Sequence, residues 1–370
     1  MTKPIHVCEV VGNMNGGGVE AVVMNYYRHV DRTKVQFDFV VTASSTIVPR
    51  EEIEDLGGRV FMVPAYTNLP MFQKAIYDLF KSHSEWDIVH AHMNALNVFP
   101  LKEAFRAGVP VRISHSHSTA GRGEMMKNIA KAVLKTQSNR YPTERFACSR
   151  FAGEWLFGKE EPFELVYNAI DLDRFWFSGH TRALVRQQLG FHDGQLVIGH
   201  VGRFMPQKNQ GFLIDVFEKL VELRDDVMLV FVGTGQGESA AKEAVRARGI
   251  AERVRFLGQR DDVADLYQAF DMFVLPSLYE GLGMVAVEAQ VSGLPCVISD
   301  KVPAEANVTG SCRVLPLGDS QAWANVLCGL TLRDGSERAS IDRRVFSNYD
   351  IIRQGAWLTE KYLRLHEGAV

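Results

Sequence analysis

The feature that most constrains this chain is an alternation of short apolar runs with helical patterns. Runs such as Ile5–Val11 are almost continuously apolar, as strands are when helices cover both faces of a sheet. The segments between them, such as Val19–Val30, have helical periodicity. This alternation is typical of βαβ units around a parallel sheet. The strands predicted in the first half are Ile5–Val11, Gln36–Thr42, Arg59–Val63, Asp87–His92, Val111–His115 and Arg145–Cys148.

The alternation restarts after a turn-rich stretch at residues 166–175. Its second round begins with the run Leu196–Val201 and ends with Arg313–Leu315. Because 370 residues exceed what one hydrophobic core usually organises, we predict two α/β domains with doubly wound parallel sheets. Their predicted bounds are 1–175 and 176–348, followed by a C-terminal helix, 349–370. We expect ligands beyond the carboxyl ends of the strands.

Charge and cysteine content exclude several classes of protein. The chain has 41 basic and 44 acidic residues, a formal net charge of −3, so nothing marks it as a nucleic-acid binder. Its five cysteines lack CxxC spacing, which favours reduced thiols over a zinc or disulfide framework. No apolar run approaches the roughly 18–20 residues that span a bilayer. We therefore expect a cytoplasmic protein.

Two glycine-rich loops follow predicted strands. The first, Gly12-Asn13-Met14-Asn15-Gly16-Gly17-Gly18, precedes a helix whose free N–H groups suit an anion. It matches neither the Walker A pattern nor G-x-G-x-x-G, and a flexible turn is the alternative. The second loop, Gly233-Thr234-Gly235-Gln236-Gly237, also misses the dinucleotide spacing, and a tight turn explains it equally well.

Charged residues follow two strands of the second half. Arg203 and Lys208 lie on a loop after Leu196–Val201, where two cations can hold a diphosphate or can simply be solvated. After Met272–Leu275, Glu280 falls in a loop and Glu288 about one turn into a helix. The helix start at Gly283-Met284-Val285 directs backbone N–H groups at an anion, between two carboxylates suited to hydroxyls.

Taken in order, these features resemble a known family. The first loop ends Gly17-Gly18-x-Glu20, Arg203-x4-Lys208 follows a mid-chain strand, and Glu280-x7-Glu288 precedes Ser-Gly-x-Pro. The combination resembles the retaining glycosyltransferases of family 4, whose GT-B fold has two Rossmann-like domains facing a central cleft. The resemblance covers nearly the whole chain. The segments 145–149 and 199–209 are similar to members that build bacterial capsule and exopolysaccharide.

The resemblance implies site residues. Arg203 and Lys208 would hold the donor diphosphate, Glu280 the sugar and Glu288 the ribose hydroxyls. The phosphates would meet backbone groups of Gly17, Gly18, Gly283, Met284 and Val285. The nucleobase would lie beside the loop that follows a strand and contains Gln259 and Arg260. Two departures are Asn168-Ala169-Ile170-Asp171, where Asn-Gly-Ile-Asp is usual, and Glu280-Gly281-Leu282-Gly283, with Gly where Pro is common.

Histidines cluster at two strand ends of the first half. His90 and His92 lie on one strand, His115 and His117 on the next, and each pair points to one side. No carboxylate or thiol is close in sequence, so we predict no metal site. In the family a His at the position of His117 faces the reacting sugar, which makes His117 the expected catalytic histidine. His115 and His92 are the other choices, and a hydrogen-bonded core role is the alternative for each.

Two further segments have open interpretations. Asp171-Leu172-Asp173 spells D-x-D, but its place in a turn favours helix capping over metal binding. The stretch Met125–Lys135 is a basic amphipathic pattern with Lys127, Lys131 and Lys135 on one side. It predicts either peripheral contact with an anionic membrane or a surface helix with a solvated lysine face.

The resemblance implies transfer of a sugar from a nucleotide diphosphate, with UDP expected, to a saccharide or lipid-linked saccharide acceptor in surface glycan synthesis. The catalytic residues would be Glu280, His117, Arg203 and Lys208, without a metal ion. A sugar-nucleotide 2-epimerase of the same fold and a non-catalytic nucleotide-sugar-binding subunit are the alternatives. The resemblance also implies that the last helix crosses back onto the first domain, so we expect Trp357 and Tyr362 to be buried at an interdomain seam.

Overall fold

The computed structural model describes residues 3–117 and 134–369. The chain divides into two compact units, which we call the first unit (Met1–Ile170 with Asn348–Val370) and the second unit (Asp171–Ser347). Each is built on a wholly parallel sheet with helices on both faces. The predicted fold class, two Rossmann-like doubly wound parallel-sheet domains, is confirmed.

The sheet of the first unit has seven strands in the order β3-β2-β1-β4-β5-β6-β7. Their bounds are β1 Ile5–Gly12, β2 Val35–Thr42, β3 Arg59–Val63, β4 Ile88–Ala91, β5 Val111–Ser116, β6 Glu144–Ala147 and β7 Glu164–Leu165. Among the described residues, the helices between them are α1 Gly18–His29, α2 Arg50–Asp55, α3 Leu69–Ser82, α4 Val98–Ala107 and α5 Arg150–Phe157. The strand order changes direction between β1 and β4, the point where doubly wound sheets bind ligands.

The sheet of the second unit repeats this plan with six strands in the order β10-β9-β8-β11-β12-β13. Their bounds are β8 Leu196–Val201, β9 Val227–Val232, β10 Val254–Phe256, β11 Met272–Leu275, β12 Cys296–Ser299 and β13 Arg313–Leu315. The helices are α6 Leu172–Phe175, α7 Gly179–Gln188, α8 Gln210–Leu223, α9 Glu238–Ala247, α10 Val263–Ala269, α11 Met284–Val291, α12 Ser320–Gly329 and α13 Gly335–Ala339. Here the switch point lies between β8 and β11.

The last helix, α14 (Ile351–Glu367), belongs to the first unit, where it packs against α1 and β2. Tyr362 is completely buried and stacks edge-on against Phe37, as expected. Trp357 is partly buried and packs against the core of the first unit, so it is less buried than expected. Ile352 points to the solvent, because the apolar side of the helix runs through Ile351, Leu358 and Tyr362.

Local sequence explains where many of these elements begin and end. Side chains of Asn68, Ser149 and Asp319 accept hydrogen bonds from the first turns of α3, α5 and α12, as N-caps do. Gly108 ends α4 in the left-handed conformation that glycine adopts without steric cost. Among the described residues the cysteines form no disulfide, and all but Cys328 are buried.

Candidate functional site

The loop after β8 is held firmly against the loop after β11. A short 3₁₀ turn, Pro206–Lys208, ends at Asn209, whose φ of +56° lies in the left-handed region. The Asn209 side chain donates to the carbonyl of Pro276, and the Leu278 N–H donates to the carbonyl of Gln207. These bonds fix the positions of the two loops at the switch point of the second unit.

The second glycine-rich loop, Gly233–Gly237, packs closely against the loop that follows β8. A Cβ at Gly233 would lie 2.3 Å from the carbonyl oxygen of Gly202, and one at Gly235 would lie 2.4 Å from that of Phe204. The Phe204 N–H donates to the carbonyl of Thr234 at 2.9 Å. Because only glycine permits so close an approach, the tight-turn interpretation of this loop is the one that the packing favours.

Lys208 and Glu280, both predicted site residues, form an ion pair at this switch point. Lys208 Nζ lies 2.7 Å from Glu280 Oε1, and both side chains are largely buried. The same carboxylate oxygen accepts from Ser277 Oγ at 2.6 Å, while the one bond that Oε2 accepts from the described residues is longer, 3.3 Å, and comes from Gln207. Oε2 therefore keeps capacity for a further donor, such as a hydroxyl.

Arg203 differs from Lys208 although both lie on the same loop. Its side chain is exposed, and among the described residues no hydrogen bond or ion pair engages its guanidinium. Its backbone is nevertheless fixed, because Gln210 donates to its carbonyl at 2.9 Å. Arg203 thus presents a positive charge on an anchored loop, where it can bind an anion from solution.

Helix α11 begins at the same edge of the sheet. Gly283 has φ of +89°, and no side chain caps the helix. The first N–H groups of an α-helix have no partner within the helix and attract anions. Met284 and Val285 thus lie where their backbone could meet a phosphate.

Glu288 lies further along α11 and is bonded by Tyr267, whose hydroxyl is 3.0 Å from Glu288 Oε2. Burial raises the pKa of Glu288, an effect that this bond and the charges of Lys208 and Arg174 partly oppose. Among the described residues no hydrogen bond reaches Oε1. Glu288 therefore has one anchored oxygen and one that can accept from a ligand.

The predicted base-binding residues lie on an exposed loop after β10. Gln259 and Arg260 are both exposed, and Arg260 forms a bidentate pair with Asp262 at 2.7 and 2.5 Å. This pair raises the pKa of Arg260 and holds its guanidinium against its own loop. Of the two residues, Gln259 has the freer side chain for contact with a base.

In the first unit the glycine-rich loop leads into α1 as predicted. The Gly17 N–H donates to the carboxylate of Glu20 at 2.6 Å, the bond that a capping box makes at a helix start. The Gly17 amide is therefore already engaged. Gly18 is exposed, and a Cβ there would meet nothing within 4 Å. Of the two glycines, Gly18 keeps an accessible backbone.

The four histidines of the first unit converge in one buried cluster. His92 Nδ1 lies 2.8 Å from His117 Nε2, and His90 Nε2 lies 3.1 Å from His115 Nδ1. All four are at least nine-tenths buried. Burial lowers the pKa of each imidazole, that of His92 to about 3. His117 stands just past the end of β5, so it is the member nearest to a loop.

One sequence argument about these histidines is wrong. Glu9, on β1, places Oε2 at 2.6 Å from His92 Nε2, and the hydroxyl of Tyr362 is 3.0 Å from Glu9 Oε1. A carboxylate is therefore close in space although none is close in sequence, because β1 and β4 are neighbours in the sheet. The one signal in the sequence was a carboxylate inside an apolar strand. Burial raises the pKa of Glu9 to about 8.

The remaining predicted segments have simple outcomes. Asp171 caps α6 by accepting from the Asp173 N–H at 3.0 Å, and Asp173 pairs with Arg343, so helix capping explains the D-x-D motif. Lys127 and Lys131 of the basic pattern lie outside the described residues. Lys135 is described, and its ammonium lies 4.8 Å from the centre of the Trp155 ring.

Comparison with known proteins establishes the family. The model named "Glycosyltransferase Family 4" matches residues 16–174, and "Glycosyl transferases group 1" matches residues 181–316. EpsF of Bacillus subtilis, which is named as a glycosyltransferase, is 38% identical to this chain over 304 residues, which are 80% of this chain and 79% of EpsF. The chain belongs to glycosyltransferase family 4.

Two further proteins are similar to this chain. The UDP-Gal:alpha-D-GlcNAc-diphosphoundecaprenol alpha-1,3-galactosyltransferase of Escherichia coli is 28% identical, over 85% of this chain and 84% of its own. The structure of Anabaena HepE in complex with UDP and glucose is 20% identical, with a TM-score of 0.80 over 97% of this chain and all of HepE. This likeness confirms the predicted GT-B fold. In the described part of the chain, no helix has the length and apolar character needed to cross a bilayer.

Proposed function

We propose that this glycosyltransferase transfers a sugar, with retention of configuration and without a metal ion, from a UDP-sugar to a hydroxyl of a saccharide or lipid-linked saccharide in polysaccharide synthesis. The observation that carries the proposal is the charged group at the β8–β11 switch point, where Lys208 lies 2.7 Å from Glu280 and Arg203 is exposed. The complex of HepE with UDP and glucose and the UDP-galactose named for the Escherichia coli relative support the choice of UDP.

Arg203 and Lys208 would stabilise the leaving diphosphate. As the bond to the sugar breaks, negative charge grows on the phosphate oxygens, and preorganised cations nearby lower the energy of that transition state. Lys208 is held in place by Glu280, and the loop of Arg203 is held by Gln210. The start of α11 adds backbone N–H groups, so this charge would be balanced without a metal ion.

The carboxylates of Glu280 and Glu288 would accept hydrogen bonds from hydroxyl groups of the donor. Glu280 Oε1 is engaged by Lys208 and Ser277, which leaves Oε2 for a hydroxyl of the donor sugar. Glu288 is anchored through Tyr267, which leaves Oε1 for the ribose. The roles of His117, Gly17 and Gly18 follow from the family resemblance and stay predictions. A lipid-linked acceptor would bring the chain to a membrane surface, and that contact also stays a prediction.

A panel of UDP-, GDP- and ADP-sugars, incubated with the purified chain and assayed for the released nucleotide diphosphate, tests the donor. We expect release from one UDP-sugar, at an unchanged rate in EDTA, and NMR of the glycosylated product should show the donor's anomeric configuration. Release from a GDP- or ADP-sugar alone, a loss of activity in EDTA that Mg²⁺ or Mn²⁺ restores, or an inverted product would contradict the corresponding part of the proposal. Inversion at C2 of the sugar without transfer would favour an epimerase.

A further inference from the structure

The histidine cluster of the first unit has the layout of a metal site. His90 lies on β4 and His92 directly follows its last residue, two positions further along the chain, so their side chains emerge on one face of the sheet. His115 follows on the neighbouring strand β5, on the same face. One nitrogen from each of these three imidazoles lies within 4.8 Å of the others. Three histidines from two adjacent strands are a ligand set that zinc and related divalent ions accept.

Two of these histidines each have one ring nitrogen hydrogen-bonded to a residue outside the group of histidines. His92 Nε2 is bonded to Glu9 at 2.6 Å, and His90 Nδ1 is bonded to the hydroxyl of Tyr362 at 2.6 Å. Metal-binding histidines almost always use their second nitrogen in this way, because such a bond fixes the ring and increases the basicity of the ligating nitrogen. Glu9 and Tyr362 are also bonded to each other.

The other ring nitrogens of His90 and His92 each lie close to a nitrogen of another histidine. His90 Nε2 is 3.1 Å from His115 Nδ1, and His92 Nδ1 is 2.8 Å from His117 Nε2. With metal–nitrogen bonds of about 2.0–2.1 Å, two ligand atoms of a tetrahedral site lie about 3.3 Å apart, so small ring rotations would suffice. A cavity of about 10 Å³, bordered by these three histidines and Glu9, adjoins them.

A cation bound by the histidines would also compensate the charge of Glu9 whenever this carboxyl group is ionised. Glu9 is 1% exposed, and among the described residues no lysine or arginine pairs with it; its neighbours are the imidazoles of His90 and His92 and the hydroxyl of Tyr362. A buried carboxylate is costly unless a positive charge or several hydrogen bonds compensate it. A divalent ion on the far side of His92 would supply that charge through the imidazole.

We propose that His90, His92 and His115 bind one divalent transition-metal ion of the zinc type, with Glu9 and Tyr362 orienting the ligands and His117 beside the fourth position. The ion would tie β1, β4, β5 and α14 together. Its ligands include none of the residues of the charged group in the second unit, and its existence does not depend on which nucleotide sugar the enzyme uses.

The test uses the full chain without a histidine tag. The protein is unfolded in denaturant with a chelator, freed of both, and refolded with Co²⁺ or Zn²⁺, and bound metal is then measured by mass spectrometry. We expect one ion per chain, with the absorption bands of tetrahedral Co²⁺ for cobalt. Binding below stoichiometry in the refolded wild type would overturn the proposal and leave a hydrogen-bonded cluster only.

Variants assign the bound ion to this cluster. His90→Asn and His115→Asn should abolish binding, whereas His200→Asn, which changes a buried histidine of the second unit, should retain it. His92→Cys should retain binding and add a sulfur-to-cobalt charge-transfer band that the folded wild type lacks. An unchanged metal content in both Asn variants, or no such band in a folded His92→Cys protein, would contradict the assignment. Circular dichroism establishes folding for each variant.

Discussion

The two units place polar side chains at equivalent points of similar sheets but use them differently. At the β1–β4 switch point, Glu9, His90 and His92 lie on or at the end of strands and face a layer of helices. At the β8–β11 switch point, Lys208 and Glu280 lie on loops beyond the strands. The first set is closed into a buried network, and the second keeps acceptor atoms and one exposed cation available.

This difference shows that distance from the strand end decides what a polar residue can do. A side chain on a strand covered by helices must satisfy its hydrogen bonds inside the protein, as Glu9 does with His92 and Tyr362. A side chain one loop later can share its bonds with a ligand, as Glu280 can through Oε2. The first cluster should therefore dominate stability, and the second should dominate catalysis.

The largest expected effect concerns stability of the first unit. Tyr362→Ala should lower the free energy of unfolding by about 3–5 kcal/mol, because it leaves a cavity beneath a fully buried ring and removes the bond to Glu9. Ile352→Ala, on the same helix but 62% exposed, should change it by less than about 0.5 kcal/mol. Chemical denaturation measures both. Equal effects would mean that α14 is not anchored through its buried side.

The next effect concerns catalysis in the second unit. Lys208→Ala and Arg203→Ala should each lower the turnover number by at least about 10²-fold, the scale seen when one preorganised stabilising group is removed. The matched control is Lys242→Ala, because Lys242 also forms a 2.6 Å pair with a glutamate, on α9. Steady-state kinetics should leave this control near wild type. A loss shared by the control would point to general destabilisation.

A smaller effect should separate the two carboxylates. Glu288→Gln should weaken UDP binding, because the ribose contact is lost, while Glu280→Gln should lower turnover more than nucleotide affinity, because Glu280 would contact the sugar. Calorimetry with UDP, together with the kinetic constants, measures the split. Tight UDP binding by the Glu288 variant would contradict the ribose assignment.

The smallest effect tests an ion pair in the first unit. Asp38 is buried, which by itself raises its pKa, but bonds from Arg59, Trp86 and His6 outweigh burial and lower it. Ionised Asp38 therefore adds stability above its unfolded pKa, and this contribution is lost as the pH falls through the lower folded value. Wild type should lose more stability than Asp38→Asn between pH 7 and pH 3. Parallel losses in denaturation curves would contradict this contribution.

The sequence predicted elements best where a single pattern determines them. The strand Met272–Leu275 and the start of α11 at Met284 were predicted at their observed bounds, since an apolar run between turn residues leaves little choice. Strand β7 has only two residues and no pattern that could reveal it. Trp357 is less buried than expected, because helical periodicity does not say how deep each apolar residue lies.

In the candidate sites, the sequence could not predict which residues from different strands and loops contact each other. The order of the motifs located Lys208 and Glu280. Their contact depends on which loops meet, and so do the hydrogen bonds of Ser277 to Glu280 and of Tyr267 to Glu288. The bond between Glu9 and His92 joins residues 83 positions apart, and it required the strand order β1-β4-β5, which no local pattern contains.

Calorimetric titration of UDP and of uridine into wild type and into the double variant Arg203→Ala/Lys208→Ala tests the central claim most directly. If these cations grip the diphosphate, wild type should bind UDP far more tightly than uridine, and the double variant should lose most of that difference while its uridine affinity stays unchanged. If the preference for UDP over uridine is the same in both proteins, the diphosphate is bound elsewhere and the assignment of this site is wrong.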